Sequence, residues 1–578
     1  MRTALKRPFL LYLLSILALA GLLRFYGINW DQGHHLHPDE RAIVMFTTSL
    51  QFPSTISEFL SPESPWNPHF FAYGNFPLYL LKIVGLIASN FDPSFALYDK
   101  INLVGRFISG FFDLGTIFFV FLLAKKLFNK KVGILASFFY TISVFPIQTS
   151  HFYAVDILLT FFILLTLYQL IKFYEKPSVK NSIFVGVCFG ASLATKISAI
   201  PLLAAVIAAI AIDFLLIIIK QPHKPHIWFP HVPVFLKRLM SDGIVITVST
   251  AITFVILQPY AIIDFSTFWR QNMEQSQMTR DAFTFPYTLQ YVGKIPYLYE
   301  LKNIFFWGQG PILATLSFLG TLYMIIHIIK KQKEKKWAQE LILIIFLLCY
   351  FAVVGKFAVG WMRYMLPLYP LLCLFAAILI YKLNQILQTK IKSNLILNTL
   401  YLILYTSILV WPLSFMNIYT QPNTRVLASE WIYKNIPEDK IIAREHWDDG
   451  LPIGGNIVYK NFELPIYGMQ DPVTEKQIYQ TIEEVDYIII ASNRLHIPLQ
   501  RIAQNCDKWN VPQDRCPQNA YIYYRQLFNG DLGFKKVAEF ENLPKIPILN
   551  IPINDQSADE SFTVYDHPKV MIFEKFNL

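Results

Sequence analysis

Apolar runs of about 20 residues recur from Pro8 to Met416, and a helix of that length is what crosses the hydrocarbon core of a bilayer. In lipid every backbone polar group must be satisfied internally, so repeated runs of this kind commit the chain to a bundle of helices. The composition agrees: 54% hydrophobic and only 16% charged residues, too apolar for a soluble chain of 578 residues. The spans read as residues 8–27, 101–124, 131–148, 151–173, 181–195, 197–219, 242–260, 305–329, 338–358, 362–384 and 395–416, about 11 in all. The first follows a basic start (Arg2, Lys6, Arg7) but precedes no small-residue cleavage site, so it reads as a retained signal anchor. Arg24, Phe25, Tyr26 and Trp30 read as an interfacial belt at its far end. The pair of runs meeting at Lys196 reads either as two spans or as one hairpin or broken helix.

The net charge of +10 raises the question of nucleic acid, and its distribution answers it. Residues 417–578 hold 16 Lys+Arg against 22 Asp+Glu, while the rest of the chain holds 34 against 18. Much of that basic surplus lies in short loops, "KKLFNKK", "KFYEKPSVK", "KQPHKPH", "KKQKEKK" and "KIK", all on one side of the bundle. The positive-inside rule then predicts a multi-pass plasma-membrane protein with a cytoplasmic amino terminus and an extracytoplasmic C-terminal domain. Nucleic acid is not a partner on this reading.

Two long segments between spans face outward on this topology, residues 29–100 and 261–303. Within the first, Phe76–Ser89 is too short for a confident span, carries Lys82, and reads as an interfacial helix. From Asn417 the chain changes character. Thr424–Pro437 has apolar residues near helical spacing, "KIIAREHW" and "VDYIIIAS" read as buried strands, and "FTVYDHPKVMIFEK" reads as a terminal hairpin. The expected organisation is a membrane domain over 1–416 and an extracytoplasmic α/β domain over 417–578. Cys188, Cys349 and Cys373 lie in apolar runs, whereas Cys506 and Cys516 lie ten residues apart in the polar tail and could form a disulfide outside the cell.

Charges within or beside spans are costly and default to a functional hypothesis. "HLHPDER" follows the first span with Asp39 and Glu40 adjacent, and neighbours on a helix point about 100° apart, so the two acids suit different tasks. "SHFYAVD" opens a span with His151 and Asp156; Arg106, Lys196 and Arg363 also lie in or at the ends of spans. His37 with Asp39 and Glu40 could hold a divalent metal, although the spacing matches no helical metal motif and no cofactor is otherwise indicated. Carboxylates and cations gathered on one face suit transfer of a group from an anionic lipid-linked donor: a carboxylate takes the acceptor's proton and a cation steadies the departing phosphate. A transporter or flippase for lipid-linked sugars is a competing reading, as is an assembly protein whose tail is a binding module; no internal repeat favours the transporter.

With these residues in place, the chain resembles the polytopic GT-C glycosyltransferases, specifically the bacterial family 39-like group related to protein O-mannosyltransferases. The resemblance rests on "HPDE", "NPHFFAYGNFPLY", "SHFYAVD", "LATKISAIP" and "RYMLPLYP", in that order along the chain, and on "ASEWIYKNIP", "EHWDD" and "YDHPKVMIFEK" in the tail. It implies an inverting transfer of a sugar from a polyprenyl-phosphate donor to a protein, lipid or glycan acceptor at the outer membrane face. It implies Asp39 as general base, Glu40 and Asp156 as further acids of the catalytic set, and Lys196 and Arg363 on the lipid phosphate. His151 and Arg106 join the candidates for substrate or lipid-phosphate binding.

Overall fold

The structure, a computed structural model, describes residues 7–220, 232–330 and 336–576. The basic residues Arg2 and Lys6 and most of the "KQPHKPH" and "KKQKEKK" loops lie outside them. Among the described residues, seven helices are long and apolar enough to cross a membrane. An eighth span is a bent pair, Lys130–Thr141 with Val144–Ser150, turned by 60° at the break. The other three expected spans are helices below that length test, Phe9–Phe25, Val179–Thr195 and Ile197–Ile212. At Lys196 the chain leaves the helix in an extended conformation and re-enters through a 3-10 turn, Ile197–Ala199, so a break does lie there. The chain is a multi-pass helical membrane protein with a sheet domain at its C-terminal end.

Buried charge positions the first span. Arg24, expected at the lipid interface, is fully buried: its Nε donates to Asp113 at 2.8 Å, and the Tyr140 hydroxyl donates to the same carboxylate at 2.7 Å. Trp30 is also buried, with its indole N–H on the His151 carbonyl. The aromatic-belt reading fails for both, because a low-dielectric bundle holds a charge only when it is paired, and Asp113 in Tyr98–Leu127 supplies the pair.

The segment 29–100 is a compact set of helices, not an open loop: Pro38–Ser49, Ile56–Phe59 and Asn75–Ala88, with a 3-10 turn at Pro93–Ala96. The expected interfacial helix is the third of these. The second outer segment packs on the first, with Asn67 donating to Asp264 at 3.0 Å and the Gln271 side chain bonded to the Phe71 amide at 2.6 Å.

The tail forms a five-stranded sheet. In chain order its strands are β1 (Ile441–Glu445), β2 (Lys460–Leu464), β3 (Tyr487–Ile490), β4 (Phe534–Phe540) and β7 (Val570–Lys575); β5 (Lys545–Ile546) and β6 (Ile551–Pro552) make a separate ribbon. The spatial order is β2-β1-β3-β7-β4, parallel across β2-β1-β3 and antiparallel at β7 and β4. Strand alternation splits its core: Ala443, Ile488 and Ile490 face one helical layer, Ile442, Tyr487 and Ile489 the other. The helix Thr424–Asn435 and the Cys506–Cys516 disulfide form, the latter with Cα atoms 6.0 Å apart. The terminal hairpin does not. Only Val570–Lys575 is strand; the preceding residues form a short helix, Glu560–Thr563, and a buried turn. That turn leaves the sheet: Phe562, Val564 and Tyr565 belong to the apolar core of the helix bundle.

Candidate active site

Three helix ends converge beneath this turn. His37 caps the Pro38–Ser49 helix: its Nδ1 accepts the Glu40 amide, Pro38 fills the first turn, and Asp39 and Glu40 lie where the helix dipole favours anions. Burial pushes the His37 imidazole down to about 3, so the ring is neutral and free to accept. Asp156 lies in the first turn of Val155–Glu175, also a favourable place for a carboxylate. Lys196 follows the last turn of Val179–Thr195, where the dipole favours a cation.

These groups form a chain of alternating charge. Asp39 pairs with Arg363, the Arg363 Nε stands 3.9 Å from Asp156 Oδ2, and Asp156 Oδ1 accepts from Lys196 Nζ at 2.8 Å. The Tyr73 hydroxyl also bonds to Asp39, and Lys196 lies over the Tyr364 ring at 4.6 Å. Burial works to raise the Asp39 carboxyl, but the Arg363 guanidinium and the Tyr73 hydroxyl outweigh it and hold the group below the usual carboxylate range. Asp39 is therefore ionised at neutral pH. Its side chain is 20% exposed against 3% for Asp156, so Asp39 is the more accessible of the two carboxylates. Gly74 fixes this corner: a Cβ there would meet the Ala194 carbonyl oxygen at 1.7 Å, so only glycine lets the Tyr73 segment lie against the helix end before Lys196.

Glu40 points away from that chain. It and Asp31 clamp Arg106 with contacts of 2.6 Å, all three fully buried, and Glu40 also accepts the Tyr153 amide at 2.8 Å. Arg106 further donates to the Ile28 carbonyl and lies over the Trp30 ring at 4.9 Å. The assignment of Arg106 to a lipid phosphate is corrected: two carboxylates consume its donors and leave no face open. His151 is corrected likewise. It is fully buried, its two ring nitrogens stand 2.9 Å from the Ile147 and Tyr26 carbonyls, and its ring stacks on Tyr419 at 4.0 Å. The His37, Asp39 and Glu40 metal set is also not assembled. Adjacent carboxylates diverge to Arg363 and Arg106, and no three His, Cys, Asp or Glu side chains among the described residues gather to metal-binding distance.

Sequence reasoning missed the aromatic wall. Tyr565 comes from the tail, 4.1 Å ring to ring from His37, and Tyr287 comes from the second outer segment, 6.2 Å from Trp361 and 5.9 Å from Trp447. Tyr364 lies beside Arg363, already singled out by its charge, and Tyr73 lies in "NPHFFAYGNFPLY", a stretch noted only for the resemblance. Tyr565 opens "YDHPKVMIFEK", a stretch noted for the resemblance, but reading that segment as a hairpin placed it in the sheet and away from the bundle.

The comparisons agree with this architecture. Residues 93–236, well under half of the chain, match the family model described as dolichyl-phosphate-mannose-protein mannosyltransferase. No curated protein sequence matches. Among solved structures, the apo oligosaccharyltransferase of Archaeoglobus fulgidus aligns at 12% identity over 100% of this chain and 89% of that chain, with a TM-score of 0.51. The same enzyme with zinc and sulfate aligns at 13% identity over 98% and 88%, with a TM-score of 0.50. ArnT from Cupriavidus metallidurans bound to undecaprenyl phosphate aligns at 12% identity over 73% and 72%, with a TM-score of 0.39. The chain is thus a polytopic membrane protein with the GT-C fold of the oligosaccharyltransferase it aligns with.

Proposed function

We propose that the protein transfers a sugar, with inversion, from a polyprenyl-phosphate donor to an acceptor hydroxyl or amine at the extracytoplasmic face, with Asp39 as general base. The observation that carries this reading is the alternation Asp39, Arg363, Asp156, Lys196 at the sheet-domain end of the bundle. The acceptor heteroatom attacks the anomeric carbon, the bond to the phosphate oxygen breaks, and the proton passes to an Asp39 oxygen. The phosphate leaves with the bonding electron pair. Arg363 and Lys196 meet that charge, and as Arg363 turns to the phosphate it loosens its hold on Asp39 and raises its basicity. Asp156 keeps both cations in place.

A cavity of about 750 Å³ supports the lipid donor. It is walled by apolar side chains such as Phe189, Leu193, Leu203 and Ile207, and Ile197, next to Lys196, is among them. A polyprenyl chain fits such a surface. The family description, a dolichyl-phosphate sugar, is of the same donor class. The extracytoplasmic placement rests on charge: Lys125, Lys126, Lys172 and Lys390 all lie in last helical turns at the end opposite the site.

Asp39→Asn should lower transfer from a polyprenyl-phosphate sugar by roughly 100- to 10,000-fold while membrane insertion is unchanged. Near-normal turnover in a well-inserted variant rules out the base assignment.

A further inference from the structure

A second cavity lies at the sheet-domain end, away from the Asp39 chain, with a volume of about 210 Å³. Its lining holds Lys294, Lys302 and Arg501 and no carboxylate. Lys294 is neutralised by Glu300 at 2.5 Å, just behind the wall. Among the described residues Lys302 and Arg501 have no acidic partner within ion-pair distance; Arg501 donates only to the Gln290 carbonyl and lies 5.9 Å from the Trp509 ring. Burial pulls the Arg501 guanidinium below its ordinary value, with no carboxylate to offset it. Two cations thus face a pocket with nothing in it to balance them.

The pocket is built, not incidental. Trp509 belongs to the loop closed by Cys506–Cys516 and lies flat on Gly293, whose φ is +77° and where a Cβ would come within 2.3 Å of the indole. Any side chain at that position would displace Trp509 from the cavity wall. The pocket also sits at a membrane end. Tyr297, beside the lining residues Ile295 and Leu298, bonds through its amide to Gly355 and through its hydroxyl to Ala352, at the end of the spanning helix Trp337–Val354. Ile295 and Leu298 are 63% and 58% exposed and form an apolar lip to the cavity.

We propose that this pocket binds the phosphodiester headgroup of an anionic membrane lipid, held by the Lys302 ammonium and the Arg501 guanidinium, with the acyl chains lying over Ile295 and Leu298. Arginine's planar fork matches two phosphate oxygens, and lysine supplies a point charge. The volume is below the range of roughly 300–1,000 Å³ for larger ligands and suits a headgroup. The back wall reaches the proposed active site in two steps: Gln290 bonds to Glu560 at 2.7 Å and Tyr299 to Asp559 at 2.7 Å, both in the turn that carries Tyr565.

The test uses the full chain in neutral detergent, titrated with dioleoylphosphatidylglycerol or dioleoylphosphatidylcholine and read by native mass spectrometry of the lipid-bound species. The unaltered protein should prefer the anionic lipid. Lys302→Gln with Arg501→Gln should weaken that lipid by roughly 10- to 30-fold, as removal of two interfacial cations implies, and leave the zwitterionic lipid unchanged. Unfolding temperature, recorded alongside, should not move. Equal binding of the two lipids by the unaltered protein, or an undiminished preference in the double variant, overturns the proposal. Inorganic phosphate displacing the lipid at equal concentration assigns the pocket to free phosphate and overturns the lipid part. The readout is binding and requires no turnover, so its failure leaves the transferase reading standing, and loss of the transferase reading leaves it standing in turn.

Discussion

Asp39 and Glu40 are neighbours in sequence and share no partner. One helical step of about 100° sends Asp39 to Arg363 and Glu40 to Arg106, so the first is reachable and the second is sealed. This predicts different phenotypes. Glu40→Gln strips a carboxylate from a buried arginine and should destabilise the fold by about 3–5 kcal/mol, seen as a lower unfolding temperature. Lys196→Met should raise the KM for the lipid-phosphate donor by roughly tenfold or more, the worth of one charge-assisted contact, with little loss of expression. A third carboxylate gives a pH signature. Glu445 is 2% exposed, with one oxygen on the Tyr524 hydroxyl at 2.6 Å and the other without a partner. Burial pushes it up to about 8. The folded state therefore holds this proton more tightly than the unfolded chain. Its contribution is full below pH about 4.5, the unfolded value, and is lost as pH rises toward 8. Glu445→Gln should flatten the fall in unfolding temperature over that window; an unchanged pH profile counts against the assignment.

At the scale of elements, the site is made of helix ends brought together by close backbone approach. Gly74 is the tightest such approach, and Gly74→Ala should force the Tyr73 segment off the Ala194 backbone, lowering both the unfolding temperature and turnover as Tyr73 leaves Asp39. Most elements were legible. The spans were marked by apolar runs of membrane length, the Thr424–Asn435 helix by its apolar spacing, and β1 and β3 by short apolar runs, because run length and local pattern need no distant contact. The terminal hairpin was not legible. "FTVYDHPKV" alternates plausibly for a strand, but Asp566 and His567 are drawn into a buried network. His567 bridges Asp566 at 2.5 Å and Asp555 at 2.9 Å, and Asp566 also accepts from Tyr419 at 2.8 Å. Those partners come from positions 12 and 147 residues away, which no local pattern can reveal.

At the scale of the molecule, that network joins the sheet domain to the bundle. Gln148 in the bent span donates to Asp566 and to the Phe562 carbonyl, and Arg41 and Arg425 both pair with Asp449. The neighbouring carboxylates raise the buried His567 imidazole to about 10, against the burial that opposes it, so the clamp stays charged at neutral pH. Asp566→Asn should loosen the domain, increase proteolytic cleavage between 554 and 568, and lower kcat by withdrawing Tyr565 from the site. The sequence by itself determined the membrane bundle, the sheet domain and the charged residues of the Asp39 chain, because hydrophobic length and misplaced charge are local properties. Only the tertiary structure decided which charges are sealed and which stay partly exposed. Arg24, Arg106 and His151 look as exceptional in sequence as Lys196 and Arg363, yet they are sealed on fully buried carboxylates or backbone carbonyls, whereas Arg363 pairs with the partly exposed Asp39. Whether a buried charge is structural or functional depends on the partners left over after folding, and those are fixed by contacts across the whole chain.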